Sequence, residues 1–164
     1  MPPACRADLF ARLAALGIAT QTHEHPPVFT VDEARAHCGH IAGVHCKSLF
    51  LKDAGDALYL VVVPDHRALY LKALSAKIGT KRLSFGRAEL LREALGVEPG
   101  SVTPFALLND RARRIGVVLD AWMMRQRLLN YHPLENTATT TIRADDLLKF
   151  IRACGHAPEI VELD

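Results

Sequence analysis

Lys47 is the residue in this sequence that most suggests chemistry, because it interrupts an apolar run. Residues 46–52, Cys-Lys-Ser-Leu-Phe-Leu-Lys, have the composition of a β-strand. Alternate side chains of a strand share a face, so Lys47 lies with Leu49 and Leu51. Such a lysine is either at the wet end of the strand or held in a cleft. Because lysine is almost never buried without a partner, the residues alone favour the strand end.

A second candidate is the glycine-containing segment Gly100–Thr103, which lies between Pro99 and Pro104. A turn of this kind lets main-chain N–H groups face a ligand oxygen without obstruction by side chains. Such donors, here from Gly100, Ser101, Val102 and Thr103, can stabilise the oxyanion that forms when water attacks an ester. The alternative is a simple connection between a helix and a strand.

His132 and Asn136 form a third candidate group. A histidine can orient a phosphate or a ribose or transfer a proton, and an asparagine can both donate and accept hydrogen bonds. The alternative interpretation is a histidine at a strand end and an asparagine in a turn.

A cluster of histidines and cysteines raises the question of a metal site. Its members occupy one short stretch of the chain: His23, His25, His37, Cys38, His40, His45 and Cys46. Their spacings match none of the ordinary zinc patterns, in which ligands come in short paired steps. The sequence also has no GxSxG, P-loop, GxGxxG or HExxH motif, so we expect neither a metal nor a covalent triad.

Four motifs, in order along the chain, resemble those of the YbaK/ProX family of aminoacyl-tRNA editing domains. The first two are His-Pro-Pro-Val-Phe-Thr-Val-Asp-Glu-Ala at residues 25–34 and Cys-Lys-Ser-Leu-Phe-Leu at residues 46–51. The third, Gly-Ser-Val-Thr-Pro-Phe at residues 100–105, is similar to the family's Gly-x-x-Ser/Thr-Pro signature. The fourth, His-Pro-Leu-Glu-Asn-Thr-Ala-Thr at residues 132–139, resembles the ProX branch. The ordered set is far more specific than any single motif.

The resemblance implies a freestanding enzyme that hydrolyses the ester of a mischarged tRNA(Pro), chiefly alanyl-tRNA(Pro), without a cofactor. It implies that Lys47 and the 100–103 loop act on the ester, and that His132 and Asn136 hold the terminal adenosine. Val28, Phe29 and Thr30 would line the pocket, although core packing explains Val28 and Phe29 equally well. The alternatives are a cysteinyl-tRNA(Pro) deacylase, a noncatalytic module that binds tRNA or a synthetase, and a metal-dependent hydrolase built on the histidines.

The charge of the chain is nearly balanced, with 20 basic and 18 acidic residues and a net charge of +2. No global field therefore attracts polyanions, but the stretch from Arg67 to Arg92 holds seven basic residues and only one acid. Within it Lys77, Lys81 and Arg82 are the candidate contacts to the tRNA acceptor end, where phosphate contacts would position the RNA without reading its sequence. A well-solvated surface is the simpler interpretation of the charge alone. Prolyl-tRNA synthetase is a second expected partner, whereas DNA and membranes are not expected.

The elements that must position these residues are irregularly interleaved helices and strands. Residues 46–52 and 57–63 flank the turn Asp-Ala-Gly-Asp and predict a β-hairpin. Helices are predicted at residues 6–16, 30–37, 71–78, 87–95, 121–125 and 144–154, and further strands at residues 18–23, 82–85, 115–120, 128–131, 137–142 and 159–162. This pattern favours an α+β domain spanning residues 1–164, with a mostly antiparallel mixed sheet, partly barrel-like, and flanking helices.

The remaining composition fits an ordinary globular protein, with 49% hydrophobic and 23% charged residues. No apolar run approaches the roughly 20 residues that span a bilayer, and the N-terminus lacks the pattern of a secretion signal. The four cysteines contain no CxxC pair, which favours reduced thiols. We therefore expect a cytoplasmic protein.

Overall fold

The computed structural model describes residues 2–163, in which helices and strands alternate irregularly. In chain order the elements are α1 (Arg6–Ala15), β1 (Gln21–Glu24), α2 (Val31–Cys38), β2 (Val44–Asp53), β3 (Leu58–Pro64), α3 (Leu71–Ile78), β4 (Leu83–Phe85), α4 (Ala88–Leu95), a 3₁₀ helix (Pro104–Asn109), β5 (Ile115–Asp120), α5 (Ala121–Met124), β6 (Leu128–Tyr131), β7 (Ala138–Arg143), α6 (Ala144–Ala153) and β8 (Glu159–Val161). The hairpin of β2 and β3 forms as predicted, because Asp53 Oδ1 accepts hydrogen bonds from the amides of Gly55 and Ala57 in its turn.

All eight described strands belong to one mixed sheet, in the order β1-β7-β6-β2-β3-β5-β8, with β4 added beside β2. Four strand pairings are antiparallel (β1–β7, β2–β3, β2–β4 and β6–β7), and three are parallel (β2–β6, β3–β5 and β5–β8). The predicted α+β fold with a mostly antiparallel mixed sheet is confirmed. The sheet is open, so its strands do not form a closed barrel.

The centre of the sheet is buried on both faces. Leu60 and Val62 of β3 face the larger core, where α1, α4, the 3₁₀ helix and α6 contribute side chains. Val61 and Val63 face a smaller core that includes Leu74 of α3. Because side chains alternate along a strand, burial on both sides requires the nearly continuous apolar run of β3. β2 and β3 therefore form a rigid base for the residues at their ends.

Two details of the elements differ from prediction. The sequence predicts that Ile18 begins a strand, but β1 begins only at Gln21. Ile18 instead closes the turn after α1, where its amide donates to the Leu13 carbonyl and its side chain packs into the larger core. The expected loop that ends at Pro104 leads into a 3₁₀ helix with Thr103 as its N-cap. No helix in residues 2–163 is both long and apolar enough to cross a membrane.

Candidate active site

The site lies where β2 loses a neighbour on one edge. β3 follows β2 along Cys46–Lys52, whereas the opposite edge of β2 pairs with β6 only at Val44 and His45, and with β4 only at Leu51–Asp53. Between these two pairings β2 presents an open edge to a cavity of about 210 Å³. Its lining residues come from distant parts of the chain: Val28, Phe29, Thr30, Ala34, Cys38, His45, Cys46, Lys47, Ser48, Asp65, Gly100, Val102, Asn130, Tyr131, His132 and Thr139.

Lys47 lines this cavity as a half-buried cation. Within residues 2–163 its ammonium group makes no hydrogen bond and no ion pair, and its closest electrostatic influence is the carboxylate of Asp65. Burial lowers the pKa of Lys47, and the attraction of Asp65 opposes that shift. A half-buried ammonium group with three free donors is suited to bind an anionic or carbonyl oxygen. The cleft interpretation of Lys47 thus describes its position better than the strand end.

Asp65 is a site residue that the sequence analysis missed. It follows β3 directly, and its amide donates to the His45 carbonyl at 2.8 Å, which extends the hairpin beyond the Cys46–Pro64 pair. The signal was available, because the turn after Asp53 sets a register that brings Asp65 to the same end of the hairpin as Lys47. The negative charge of Asp65 raises the pKa of Lys47 and so partly offsets the larger lowering by burial.

Neither Cys46 nor Ser48 has the surroundings of a nucleophile. Burial raises the pKa of the Cys46 thiol to about 12, so it is not a thiolate at neutral pH. The Oγ of Ser48 is buried and has no hydrogen-bond partner in the part of the chain that the structure describes. A nucleophilic serine requires an adjacent base within hydrogen-bond reach. The site therefore favours attack by water.

The Gly100 loop contributes two of its four predicted residues to the cavity, Gly100 and Val102. Gly100 has φ of +92°, a conformation that favours glycine, and a Cβ there would lie 3.2 Å from the Phe29 ring. The other two face elsewhere. The amide of Ser101 donates to the Glu98 carbonyl, and Thr103 is fully buried with its hydroxyl accepting from the Phe105 amide as a cap. Of the four predicted loop residues, only Gly100 and Val102 therefore border the cavity in the described part of the chain.

The Val28–Thr30 segment forms the opposite wall. Val28 is buried, whereas the ring of Phe29 is 68% exposed at the cavity mouth. Thr30 caps α2, since its hydroxyl accepts from the Glu33 amide at 3.1 Å, as its predicted capping box requires. Asn136 lies behind this wall and is not a lining residue. Its side-chain amide donates to the Val28 carbonyl at 3.0 Å, so it fixes the wall in place.

His132 lies in the cavity wall as a neutral imidazole with one free nitrogen. Burial lowers its pKa, and His25, whose ring centroid lies 6.3 Å away, lowers it further. The Nδ1 atom is 3.1 Å from the Ala138 carbonyl, which can only accept, so Nδ1 carries the proton. The neutral Nε2 atom is then an acceptor, with no hydrogen-bond partner in residues 2–163.

The predicted basic contacts are exposed but lie away from the cavity. The Lys81 ammonium reaches the β2–β3 turn beside Gly55 and Asp53. Lys77 of α3 is near the Glu162 carbonyl, and Arg82 precedes β4. The six residue steps along β2 from Lys47 to Asp53 span about 20 Å. These three residues can reach only a part of an RNA that is remote from the ester.

The side chains of the histidine-rich segment lie in several different environments. Both ring nitrogens of His25 are engaged, by the Pro26 carbonyl and by the Thr139 hydroxyl at 2.8 Å each. His23 and His40 meet edge to face, with ring centroids 6.3 Å apart. Among the described residues no three His, Cys, Asp or Glu side chains group closely enough to hold a metal ion.

Comparison with known proteins places this geometry in a family. Residues 25–150 match the aminoacyl-tRNA editing domain. Over 165 residues the chain is 39% identical to the prolyl-tRNA synthetase associated domain-containing protein 1 of Danio rerio, covering 99% of this chain and 90% of that protein. It is 35% identical to the prolyl-tRNA editing protein ProX of Acetoanaerobium sticklandii, covering 94% and 95%. A crystal structure of a candidate trans-editing enzyme for prolyl tRNA synthetase has the same fold, with a TM-score of 0.72, 20% identity and coverage of 97% and 98%.

The match includes the cavity and most of the chain, and it confirms the resemblance drawn from the four motifs. The matched region also holds the residues that line the cavity, among them the half-buried Lys47, the Gly100 loop and His132. This chain belongs to the aminoacyl-tRNA editing domain family, in its YbaK/ProX branch, and is an aminoacyl-tRNA deacylase.

Proposed function

We propose that this protein acts in trans on mischarged tRNA(Pro), and that alanyl-tRNA(Pro) is its principal substrate. The observation that carries the proposal is the small cavity of about 210 Å³ beside Lys47. Sites for drug-sized ligands usually measure about 300–1,000 Å³. A cavity below that range suits the aminoacyl end of the tRNA, with the terminal nucleoside outside it.

In this proposal Lys47 and the amides of Gly100 and Val102 surround the ester. The ester carbonyl gains negative charge as water attacks, and preorganised donors in a water-poor cavity stabilise that charge. The free Nε2 of His132 accepts a hydrogen bond from the attacking water and orients it. The attacking water gives its hydroxyl group to the acyl carbon, and its remaining proton goes to the ribose oxygen, the leaving group, as the bond from that oxygen to the acyl carbon breaks.

The terminal adenosine would lie at the mouth of the cavity. Phe29 exposes its ring there, and stacking of a base on an aromatic ring contributes about 1–3 kcal/mol. Asn136 would act on the nucleoside only indirectly, by holding the Val28 carbonyl that precedes Phe29.

Substrate choice would follow from steric exclusion. A rigid cavity that fits one methyl group is overpacked by larger side chains, at about 1–3 kcal/mol for even a methylene, and proline exceeds alanine by two carbons and a ring. A synthetase cannot fully reject an amino acid smaller than its own, because a missing methylene costs only about 1–3 kcal/mol. A second site that admits alanine and excludes proline corrects that error.

The experiment is a deacylation panel with alanyl-, seryl-, cysteinyl- and prolyl-tRNA(Pro). We expect rapid hydrolysis of the alanyl ester, slower hydrolysis of the seryl ester and essentially none of the prolyl ester. A preference for the cysteinyl ester would leave the proposed hydrolysis mechanism unchanged, but cysteine rather than alanine would then be the amino acid that the enzyme removes. Binding of tRNA(Pro) with all four esters intact would support the noncatalytic alternative and overturn the proposal.

We also propose that the protein associates with prolyl-tRNA synthetase. The support is the Danio rerio relative, which is named for such an association and is similar along nearly the whole chain. Sedimentation of the purified protein with the synthetase, with and without tRNA(Pro), tests this. Independent sedimentation under both conditions would contradict it.

A further inference from the structure

A second cavity, of about 280 Å³, opens beside the first on the same face of the sheet. It is lined by Ala19, Thr20, Gln21, Arg127, Leu128, Thr141 and Arg143. Two of these seven residues are arginines and none is acidic. Its polar groups are guanidinium, hydroxyl and amide groups, which together favour an oxygen-rich anion.

The two arginines are brought together by strand pairing. Arg143 ends β7 and pairs in register with Leu128, the residue after Arg127. Both side chains are exposed, and neither forms a hydrogen bond or an ion pair within residues 2–163, although Asp145 and Asp146 follow Arg143 in the first turn of α6. Two arginines line this cavity without an acidic residue beside them in its lining, and a phosphate bound there would balance their positive charge.

The position of this cavity relative to the active site limits what the anion can be. Thr139 lines the first cavity and Thr141 the second, two residues further along β7. On β6 the same step separates Asn130 from Leu128, and the hydroxyl of Thr141 donates to the Asn130 side chain across the two strands. Two residues of a strand span about 7 Å.

A strand of nucleic acid advances roughly 3.4 Å per nucleotide when stacked. A polymer whose end occupies the first cavity would therefore pass the second cavity about two nucleotides earlier. We infer that Arg127 and Arg143 bind the phosphate backbone of the single-stranded 3′ end of the RNA, just before the esterified nucleotide. This inference rests on the proposed function and specifies the path of the RNA 3′ end along the protein surface.

The test compares Arg127→Gln, Arg143→Gln and the double variant with the wild type and with Arg152→Gln. Arg152 is also exposed and lies in the last turn of α6, so it controls for the loss of one positive charge. The first measurement is the affinity for uncharged tRNA(Pro) at increasing salt. Each phosphate contact on a single strand contributes about 0.7 to the log–log slope. The double variant should therefore lose about 1.4 of slope, so that a fourfold rise in salt weakens the wild type about sevenfold more than the variant.

The second measurement is the ratio of kcat/KM for alanyl-tRNA(Pro) to that for 3′-O-alanyl-adenosine, which carries no phosphate. This ratio should fall in the arginine variants and hold in Arg152→Gln. An unchanged salt slope in the double variant would overturn the inference, as would an equal loss on both substrates. If the wild type hydrolyses neither substrate, the proposed function fails, and the salt slope still decides whether the arginines bind phosphate.

Discussion

Two pairings of an acidic with a basic side chain, Asp110 with His156 and Asp65 with Lys47, differ in burial and in the contacts that they make. Asp110 and His156 are almost fully buried, with the His156 Nε2 atom 2.8 Å from Asp110 Oδ2. The Arg114 and Ile115 amides donate to the two oxygens of the same carboxyl group. Lys47, by contrast, is half-buried and reaches no partner within 4 Å in residues 2–163, although Asp65 shares its cavity.

The contrast separates a structural polar cluster from a site that awaits a ligand. Asp110 uses each of its oxygens internally and joins the end of the 3₁₀ helix, the start of β5 and the segment after α6. A buried polar group of this kind is costly only when it loses its partners. Lys47 retains unused donors in a partly buried cavity, which suits a residue that must bind a substrate oxygen. The predictions below test this division.

The largest effect on stability should come from Asp110→Ala. The substitution leaves the buried His156 ring and two main-chain amides without an acceptor, and breaking a buried pair in this way costs about 3–5 kcal/mol. Denaturant unfolding measures the loss. Glu93→Ala is the control, because the Arg114–Glu93 pair is exposed and such pairs contribute about 0–1 kcal/mol. A loss for Asp110→Ala that is no larger than the control would refute the structural role.

The largest effect on catalysis should come from Lys47→Ala. Removal of one preorganised donor to a developing oxyanion typically lowers kcat about 100- to 1,000-fold. Circular dichroism and thermal unfolding should show an intact fold, since no described residue depends on Lys47 as a partner. Lys52→Ala on the same strand is the control, because within residues 2–163 the Lys52 side chain pairs only with Asp56, near the hairpin turn. Near-wild-type turnover of a folded Lys47→Ala protein would remove Lys47 from the site.

The fold was largely predictable because its signals are local. The α3 helix, the β5 strand and the β6 strand have the predicted bounds, and each has an apolar pattern bounded by Gly, Asp or Pro residues nearby. The division of one edge of β2 between β6 and β4 was not predictable. It depends on pairings between residues 30 or more positions apart, and no local pattern encodes such a register.

The site was predictable only in part, for the same reason. Lys47 and Gly100 stand out by type, and the family motifs select them. Asp65 reads as an ordinary turn residue after Pro64, and Thr103 reads as part of a binding loop although it caps a helix. Arg127 and Arg143 lie 16 positions apart in the sequence and become neighbours only through the pairing of β6 with β7.

A third prediction concerns pH, and it extends the contrast to the histidines. Burial lowers the pKa of His132, so the ring is neutral above its usual value of about 6.5. Deacylation should be constant near neutral pH and should fall about tenfold per unit once His132 becomes protonated in acid. Initial rates against pH for the wild type and His132→Gln measure this. If His132→Gln loses activity in acid just as the wild type does, that loss comes from the titration of another group. His45 is one such group, because burial also lowers its pKa.

The lowered pKa of His132 also makes the stability of the fold depend on pH. Because the folded pKa of His132 lies below the unfolded one, the unfolded chain binds more protons between the two values. The contribution to the free energy of unfolding is complete above about pH 6.5 and is lost as the pH falls toward the folded pKa. Urea unfolding of the wild type and His132→Gln at several pH values should show that the variant loses less of its free energy of unfolding in acid. Equal losses would mean that His132 titrates alike in both states.

A smaller effect is expected for Gly100→Ala, whose φ of +92° strains any residue with a Cβ. Such strain costs about 1–3 kcal/mol, and the new Cβ would also press on the Phe29 ring at 3.2 Å. We expect roughly tenfold lower kcat/KM, together with some loss of stability. Gly79→Ala controls for the backbone, because Gly79 has φ of +71°, open space around it and a position outside the cavity lining. If both variants lose stability equally and neither loses activity, the Gly100 loop does not contact the ester.

The smallest effect, none, is expected from chelation. Some of the histidine and cysteine side chains around the cavity already have partners within the protein. His25 contacts the Pro26 carbonyl and the Thr139 hydroxyl, and the Cys38 thiol accepts from the same hydroxyl at 3.7 Å. Zinc would need deprotonated thiols, and the pKa of the Cys46 thiol, raised to about 12 by burial, opposes that. Deacylation rates with and without EDTA should therefore agree, and elemental analysis of the purified protein should find less than one metal ion per chain. Activity that EDTA removes and added zinc restores would place a metal in the site, and Lys47 would then have to act beside that ion.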